Sequence, residues 1–262
     1  PDNNSMIYVY NGTYNESLLI NKTIKLHGEN TDYTIIRSNY TVISILENGS
    51  LYISNFTITG GSTGIESVNG FNPNTIKNCK FYGNEVAINF AGTDSNIIFN
   101  TTISSGKVGI KLTNSMYNSI IGCSFQGLNN AIYIENSKEN LVDSCSFRFN
   151  YNTIYMYNSD NNTVQNCYME MKHTIVSWPP VSVIAIQMIN SKGNDIITCN
   201  IFNSTDYAIY MVSSSNNSIA FCNICENGAG IYLMGSSNNA IIANTLYNNT
   251  LPAIIIDRSS KN

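Results

Sequence analysis

One asparagine keeps its place through most of this chain. It stands five residues before an anchor position, as Asn140 does before Cys145 and Asn118 before Cys123. The anchors Cys79, Thr101, Cys123, Cys145 and Cys167 are evenly spaced; Cys199, Cys222 and Asn244 continue the series. All eight units carry the asparagine, from Asn74 to Asn239. An aliphatic residue lies three before the anchor (Val142 before Cys145) and a larger apolar residue two after it (Phe147). A fixed period of about 20 to 50 residues is the mark of a repeat architecture, in which each unit buries its apolar side only against its neighbours.

The units read as strands. In Ala131–Ile134 the apolar residues Ile132 and Ile134 alternate with Tyr133, a period of two. Val142 and Phe147 fall on two further short extended segments separated by Asn, Ser and Gly. Three brief strands in a single unit, with no helical periodicity, predict one coil of a parallel β-helix. Coils then stack at about 4.8 Å, and one apolar residue per strand stacks on its equivalent in the next coil. The recurring asparagine falls at a corner, where it tolerates left-handed backbone and its amide can bond to the coils above and below. Right-handed winding follows from the handedness of parallel crossovers. The expectation is all-β: one single-stranded right-handed parallel β-helix domain over residues 1–262, with ten to eleven coils.

Charge is sparse, 11% of residues, and the net charge is −4 with no basic run. That excludes a nucleic-acid partner or an anionic membrane surface as the expectation. No apolar run reaches the roughly 18 residues of a membrane span. Six of the seven cysteines are anchors at one phase and read as a stack of small buried thiols. Stacked side chains point in parallel, which suits a disulfide poorly. Cys222 and Cys225 form one C-x-x-C, but Ile224 takes the inward place, so Cys225 is expected to face out. No metal or other cofactor is implied.

The first coil carries a resemblance. Gly12–Tyr14 is followed by an apolar strand, then by Lys22–Asn30 (KTIKLHGEN) and Thr34–Ile36 (TII). With the later N-x-I-x-x-C-x-F units, this resembles the parallel β-helix repeat of the pectate-lyase-like superfamily. Members include carbohydrate-binding and sugar-hydrolase β-helices, NosD-like copper-maturation proteins, and adhesin-like or S-layer-associated surface proteins of archaea. The resemblance is specific for fold and unspecific for function, because the repeated residues are structural ones.

One irregularity interrupts the series. Between Cys167 and Ala185 the chain is about twice as long as the same stretch of the other units, and the excess lies in Met171–Val183. It holds Trp178, His173 and the pair Pro179–Pro180. Insertions in solenoids fall on loops, often on the working face. At the other extreme, Ala253–Asp257 repeats the strand and the chain stops at Asn262 without a polar cap. This reads as a piece of a longer protein, or as an end capped by a partner. An open end would invite end-to-end self-association.

A β-helix enzyme acting on polysaccharide needs carboxylates gathered on one outer face. Asp143 is matched by Ile121 and Gln165 in the neighbouring coils, and Glu135 by Thr113 and Tyr157. Glu170 and Arg148 share a phase one coil apart and read as a surface ion pair. No two acids stack at a phase that looks catalytic, so no catalytic residue is assigned. The outward side of the Ala131–Ile134 strand says more. It runs Tyr133, Tyr155, Gln187, Tyr210, Tyr232, with Glu135, Tyr157, Ile189, Val212 and Met234 two residues further on. Exposed apolar stripes of this kind usually mark an interaction site, and Tyr and Trp suit both sugar rings and protein partners. The alternative is that the inserted loop or another domain covers the stripe. The binding residues expected are Tyr133, Tyr155, Tyr157, Trp178, Tyr210 and Tyr232. Twelve N-x-S/T sequons, among them Asn15, Asn39, Asn100 and Asn216, fit a secreted or cell-surface glycoprotein.

The expected function is a cell-surface structural or adhesin-like module, archaeal by resemblance, with a cell-surface glycan or a neighbouring surface protein as partner. The rival is a polysaccharide lyase, hydrolase or epimerase. A third reading is a NosD-like periplasmic accessory protein, against which the buried phase of the cysteines argues.

Overall fold

The computed structural model describes residues 5–171 and 182–262. The described residues form a right-handed parallel β-helix of eleven coils, one strand of each coil entering an eleven-stranded parallel sheet. This first face includes Thr75–Lys77, Ser119–Ile121, Leu141–Asp143 and Thr163–Gln165. The second face includes Thr34–Arg37, Lys80–Tyr82, Ser146–Arg148 and Tyr168–Glu170. The third includes Val86–Ala91, Asn152–Tyr157, Tyr207–Val212 and Ala229–Met234. Faces two and three join into one sheet where Thr102–Thr113 and Ser124–Glu135 run through the corner between them.

The core is built in columns. Val142 pairs with Ile120 and Val164, and Phe147 with Phe125 and Met169, so each inward residue meets its equivalent one coil away. All are buried. The Phe125 and Phe147 rings stack with centroids 4.8 Å apart and planes 10° apart, which is the strand spacing expressed in side chains. Face three departs from strict alternation. Its strands bury two consecutive residues, such as Ala131–Ile132, Thr153–Ile154 and Ala208–Ile209. The first of each pair stays small for a steric reason. At Gly109 a Cβ would lie 2.4 Å from the Ala131 carbonyl oxygen and 3.1 Å from Phe125.

Corners hold the coils together. The amide of Asn118 donates to Asn140 Oδ1 at 2.8 Å and its backbone N–H donates to the same oxygen at 2.9 Å. Asn140 repeats both bonds to Asn162, and the chain of amides continues through Asn194, Asn217 and Asn239 to Asn262. The asparagine column is therefore the ladder expected from the repeat. The expected left-handed backbone falls elsewhere: from Asn96 onward it belongs to the residue before the ladder asparagine, such as Tyr117 (φ 58°), Glu139 (57°) and Asn161 (56°). A left-handed residue reverses the chain direction locally, and the residue after it is thereby turned inward. A second ladder follows the same rule. Asn136 (φ 49°) precedes Ser137, whose N–H donates to Ser159 Oγ at 3.2 Å, and Ser115, Ser191 and Ser214 continue that row.

Truncating Asn140 would leave the backbone N–H and the amide of Asn118 buried without an acceptor. Each costs about 1–3 kcal/mol, so Asn140→Ala is expected to lower unfolding stability by about 3 kcal/mol or more in chemical denaturation. Asn136→Ala, at an exposed turn, is expected to cost about 1–2 kcal/mol, the strain of left-handed alanine.

Candidate functional site

On face three the register carries the tyrosines into columns. Tyr133 pairs with Tyr155, Tyr155 with Gln187, Gln187 with Tyr210 and Tyr210 with Tyr232. Their side chains point away from the core, since the flanking Ile132, Ile134, Ile154 and Met156 point in, and each is half-buried by its neighbours. Tyr133 and Tyr155 stack at 5.2 Å with planes 9° apart, and the Lys111 ammonium sits 5.8 Å from the other side of Tyr133. Tyr210 and Tyr232 stack at 5.4 Å. Gln187 separates the two groups. Tyr157 stands in the second outward column between Glu135 and Ile189.

Stacking has a chemical consequence. Each ring spends a face on its neighbour, so the row presents ring edges and hydroxyls outward. Burial, followed by the Glu135 charge, raises the Tyr133 phenol above its ordinary range. Burial raises Tyr155 too, with Tyr157 and Glu135 contributing. Burial and the Asp257 carboxylate raise Tyr232. These phenols therefore stay protonated through neutral and mildly alkaline pH, as hydrogen-bond donors and acceptors at coil spacing.

Tyr207 was not foreseen. It lies 5.1 Å from Tyr210 and 5.0 Å from Tyr232, completing a three-ring cluster. Strict alternation puts residues 207 and 210 on opposite sides. The consecutive buried pair Ala208–Ile209 returns both to the outside, and the small residue at 208 is the only signal of it in the sequence. Trp178 and His173 lie outside the described residues. The segment containing them leaves face two after Met171 and rejoins face three at Ile184, beside the Tyr155 coil.

Face two carries a second outward group. Arg148 and Glu170 approach to 3.9 Å, the surface pair expected from their phase. Around them lie Tyr168, whose hydroxyl is 3.4 Å from Glu170 and whose ring is 5.9 Å from the guanidinium, and Phe202, 5.5 Å from that ring. Asp143 lies on face one. It accepts from the Asn166 amide at 2.9 Å, and that bond holds its carboxyl below the usual range.

The six anchor cysteines face neither site. Cys145 Sγ donates to the Asp143 carbonyl at 3.3 Å and contacts the Ile120 carbonyl at 3.5 Å, and Cys123, Cys167, Cys199 and Cys222 repeat this arrangement. All seven are free thiols and all are buried. Cys225 corrects the sequence reading. It occupies the outward side of its strand yet is only 2% exposed, because its column neighbours Phe202 and Tyr247 flank it. Among the described residues no group of three or more His, Cys, Asp and Glu side chains is placed to hold a metal ion.

The family model for the right handed beta helix region matches residues 23–169 and, overlapping, 108–262. No curated protein sequence matches the chain significantly. Among solved structures, the mannuronan C-5 epimerase A-module of Azotobacter vinelandii is similar at a TM-score of 0.71 and 12% identity, over 98% of this chain and 90% of that one. The catalytic domain of an alpha-1,3-glucanase, solved with tetrasaccharides, is similar at 0.67 and 13% identity; 97% of this chain spans 64% of that domain. A protein of Geobacillus virus E2 is similar at 0.67 and 15% identity, over 98% of this chain and 52% of that one. At these identities the likeness is one of fold.

The Cys79 thiol makes a pH prediction. Burial pushes the Cys79 thiol up to about 12 from an ordinary 9.0. The unfolded chain then loses this proton first. Stability is expected to be intact below pH 9.0 and to fall as pH rises toward about 12, which melts recorded across that range would show. Alkylation by iodoacetamide at pH 8 should leave the native cysteines unmodified and reach them all once the chain is unfolded.

Proposed function

Because the chain belongs to the right-handed beta helix family, we propose that it is a cell-surface module that recognises an extended glycan without transforming it. The observation that supports this is the outward tyrosine row, Tyr133 with Tyr155 and Tyr207 with Tyr210 and Tyr232. A row of half-exposed phenols repeated at coil spacing offers a repeating polymer a matching series of hydrogen bonds beside apolar ring edges. Tyr157 stands beside the row in the second outward column. The surroundings suit recognition of neutral chains: Lys111 and Glu135 flank the row with opposite charges in adjacent coils. Few charges and many Asn and Thr residues fit an extracellular wall component. A neighbouring surface protein is the other partner the row would accept.

A glycan array probed with the purified module is expected to give hits that depend on the row. Tyr155→Ala and Tyr210→Ala are expected to weaken binding about tenfold or more, with melting temperatures near that of the parent, since both side chains are half-exposed. Binding that survives both changes would move the site off this face.

One observation favours an enzyme as the second reading, a lyase, hydrolase or epimerase of polysaccharide. Arg148, Tyr168 and Glu170 gather a cation, a phenol and a carboxylate on face two, and structures of similar fold include a mannuronan epimerase and an alpha-1,3-glucanase. Incubation with mannuronan and with alpha-1,3-glucan is expected to yield no product. Turnover that disappears in Glu170→Gln would put the enzyme reading first.

A further inference from the structure

The first four coils carry a cleft of about 660 Å³, separate from the tyrosine row, where face two turns toward face three. Its size falls within the range of small-ligand sites. Asn15, Glu16, Arg37, Ser38, Tyr40 and Tyr82 are in its lining. The Glu16 N–H donates to the Arg37 carbonyl at 3.1 Å, which fixes the turn that brings both side chains to the rim.

Arg37 is held on one side only. Its Nε donates to Asn15 Oδ1, which orients the guanidinium plane. Among the described residues no carboxylate lies within ion-pair distance of it, although Glu16 lines the same cleft. The terminal edge of the fork is thereby presented to solvent inside a concave surface. A planar, pre-oriented guanidinium edge matches a carboxylate in two parallel charge-assisted bonds.

The aromatic rims differ from the tyrosine row. Tyr40 is 77% exposed and Tyr82 54%, and among the described residues neither ring stacks on another. Their ring faces are free to cover the apolar face of a sugar. Ser17 and Ser38, whose hydroxyls lie 2.8 Å apart, and the Glu16 carboxylate add partners for sugar hydroxyls.

We infer that this cleft is a second glycan site, one that takes a saccharide unit carrying a carboxylate. The guanidinium of Arg37 binds the carboxylate, Tyr40 and Tyr82 flank the ring, and Glu16 accepts from hydroxyls. The inference stands independently of the tyrosine row, because no residue is shared between them.

Calorimetric titration with tetragalacturonate and with its methyl ester tests this. Asn15 and Asn39 are sequon asparagines in the lining, so the protein is made in a bacterial host without N-glycosylation. The acid is expected to bind about tenfold or more tighter than the ester, and Arg37→Gln is expected to bring the acid down to the ester's level. Tyr82→Ala should weaken both. Arg37 is exposed, so an unaltered melting temperature certifies that Arg37→Gln is folded. Equal binding of acid and ester, acid binding unaffected by Arg37→Gln, or no saturable binding of the acid would each overturn the assignment.

Discussion

Everything in this molecule depends on a way to turn a corner without leaving buried backbone groups unpaired. Each coil changes direction several times, and at each change the strand ladder stops. An N–H pointing into the interior there has no strand partner, and leaving it bare costs about 1–3 kcal/mol. The chain solves this with side chains that repeat the ladder. Asn140 Oδ1 accepts the backbone N–H of Asn118, and its own amide donates to Asn162. A serine column supplies the same service at another corner, and at a third the cysteine thiols donate to backbone carbonyls. In each case a residue with left-handed backbone stands just before the ladder residue, as Glu139 before Asn140, Asn136 before Ser137 and Ser144 before Cys145.

Once the corners are fixed, the periodicity of the strand separates two tasks. Inward positions are bound to their equivalents one coil away, and a change of volume there is felt in the adjacent coils. Outward positions carry no such obligation. That is why Tyr133, Lys111 and Gln187 can share one column on face three, and Arg37, Tyr82 and Arg148 can lie on face two, without altering the coil beneath. The outside of the helix is a surface on which outward side chains are spaced by the coil repeat, about 4.8 Å.

The same geometry decides what the aromatic groups offer. Where tyrosines occupy one column in adjacent coils they stack, as Tyr133 and Tyr155 do at 5.2 Å, and give up ring faces to one another. Where the column is interrupted, as around Tyr82, a ring keeps its faces. The row on face three thus suits hydrogen bonding along a polymer, and the cleft near Arg37 suits a sugar ring held on its apolar side. The cysteines are the opposite case. The thiols of this column are all buried, and burial raises the Cys79 thiol.

The sequence by itself determined the fold: period, strand positions, inward columns, the asparagine ladder and the tyrosine columns are all one-dimensional repeats, and a solenoid maps one dimension of sequence directly onto its axis. It also located the Arg148–Glu170 pair, since one coil is one period. Only the tertiary structure decided what depends on departures from that period. Tyr207 joins Tyr210 and Tyr232 because two consecutive residues, Ala208 and Ile209, are both buried, and strict alternation hides this. Cys225 is covered because its column neighbours are large, which its own outward phase does not reveal. The cleft at Arg37 arises in the early coils, where Gly12 pairs with Thr34 but Thr23 pairs with the more distant Ser50, so the turns between strands diverge. A concave surface depends on how loops of unequal length fold back on a regular body, and no phase in the sequence encodes that.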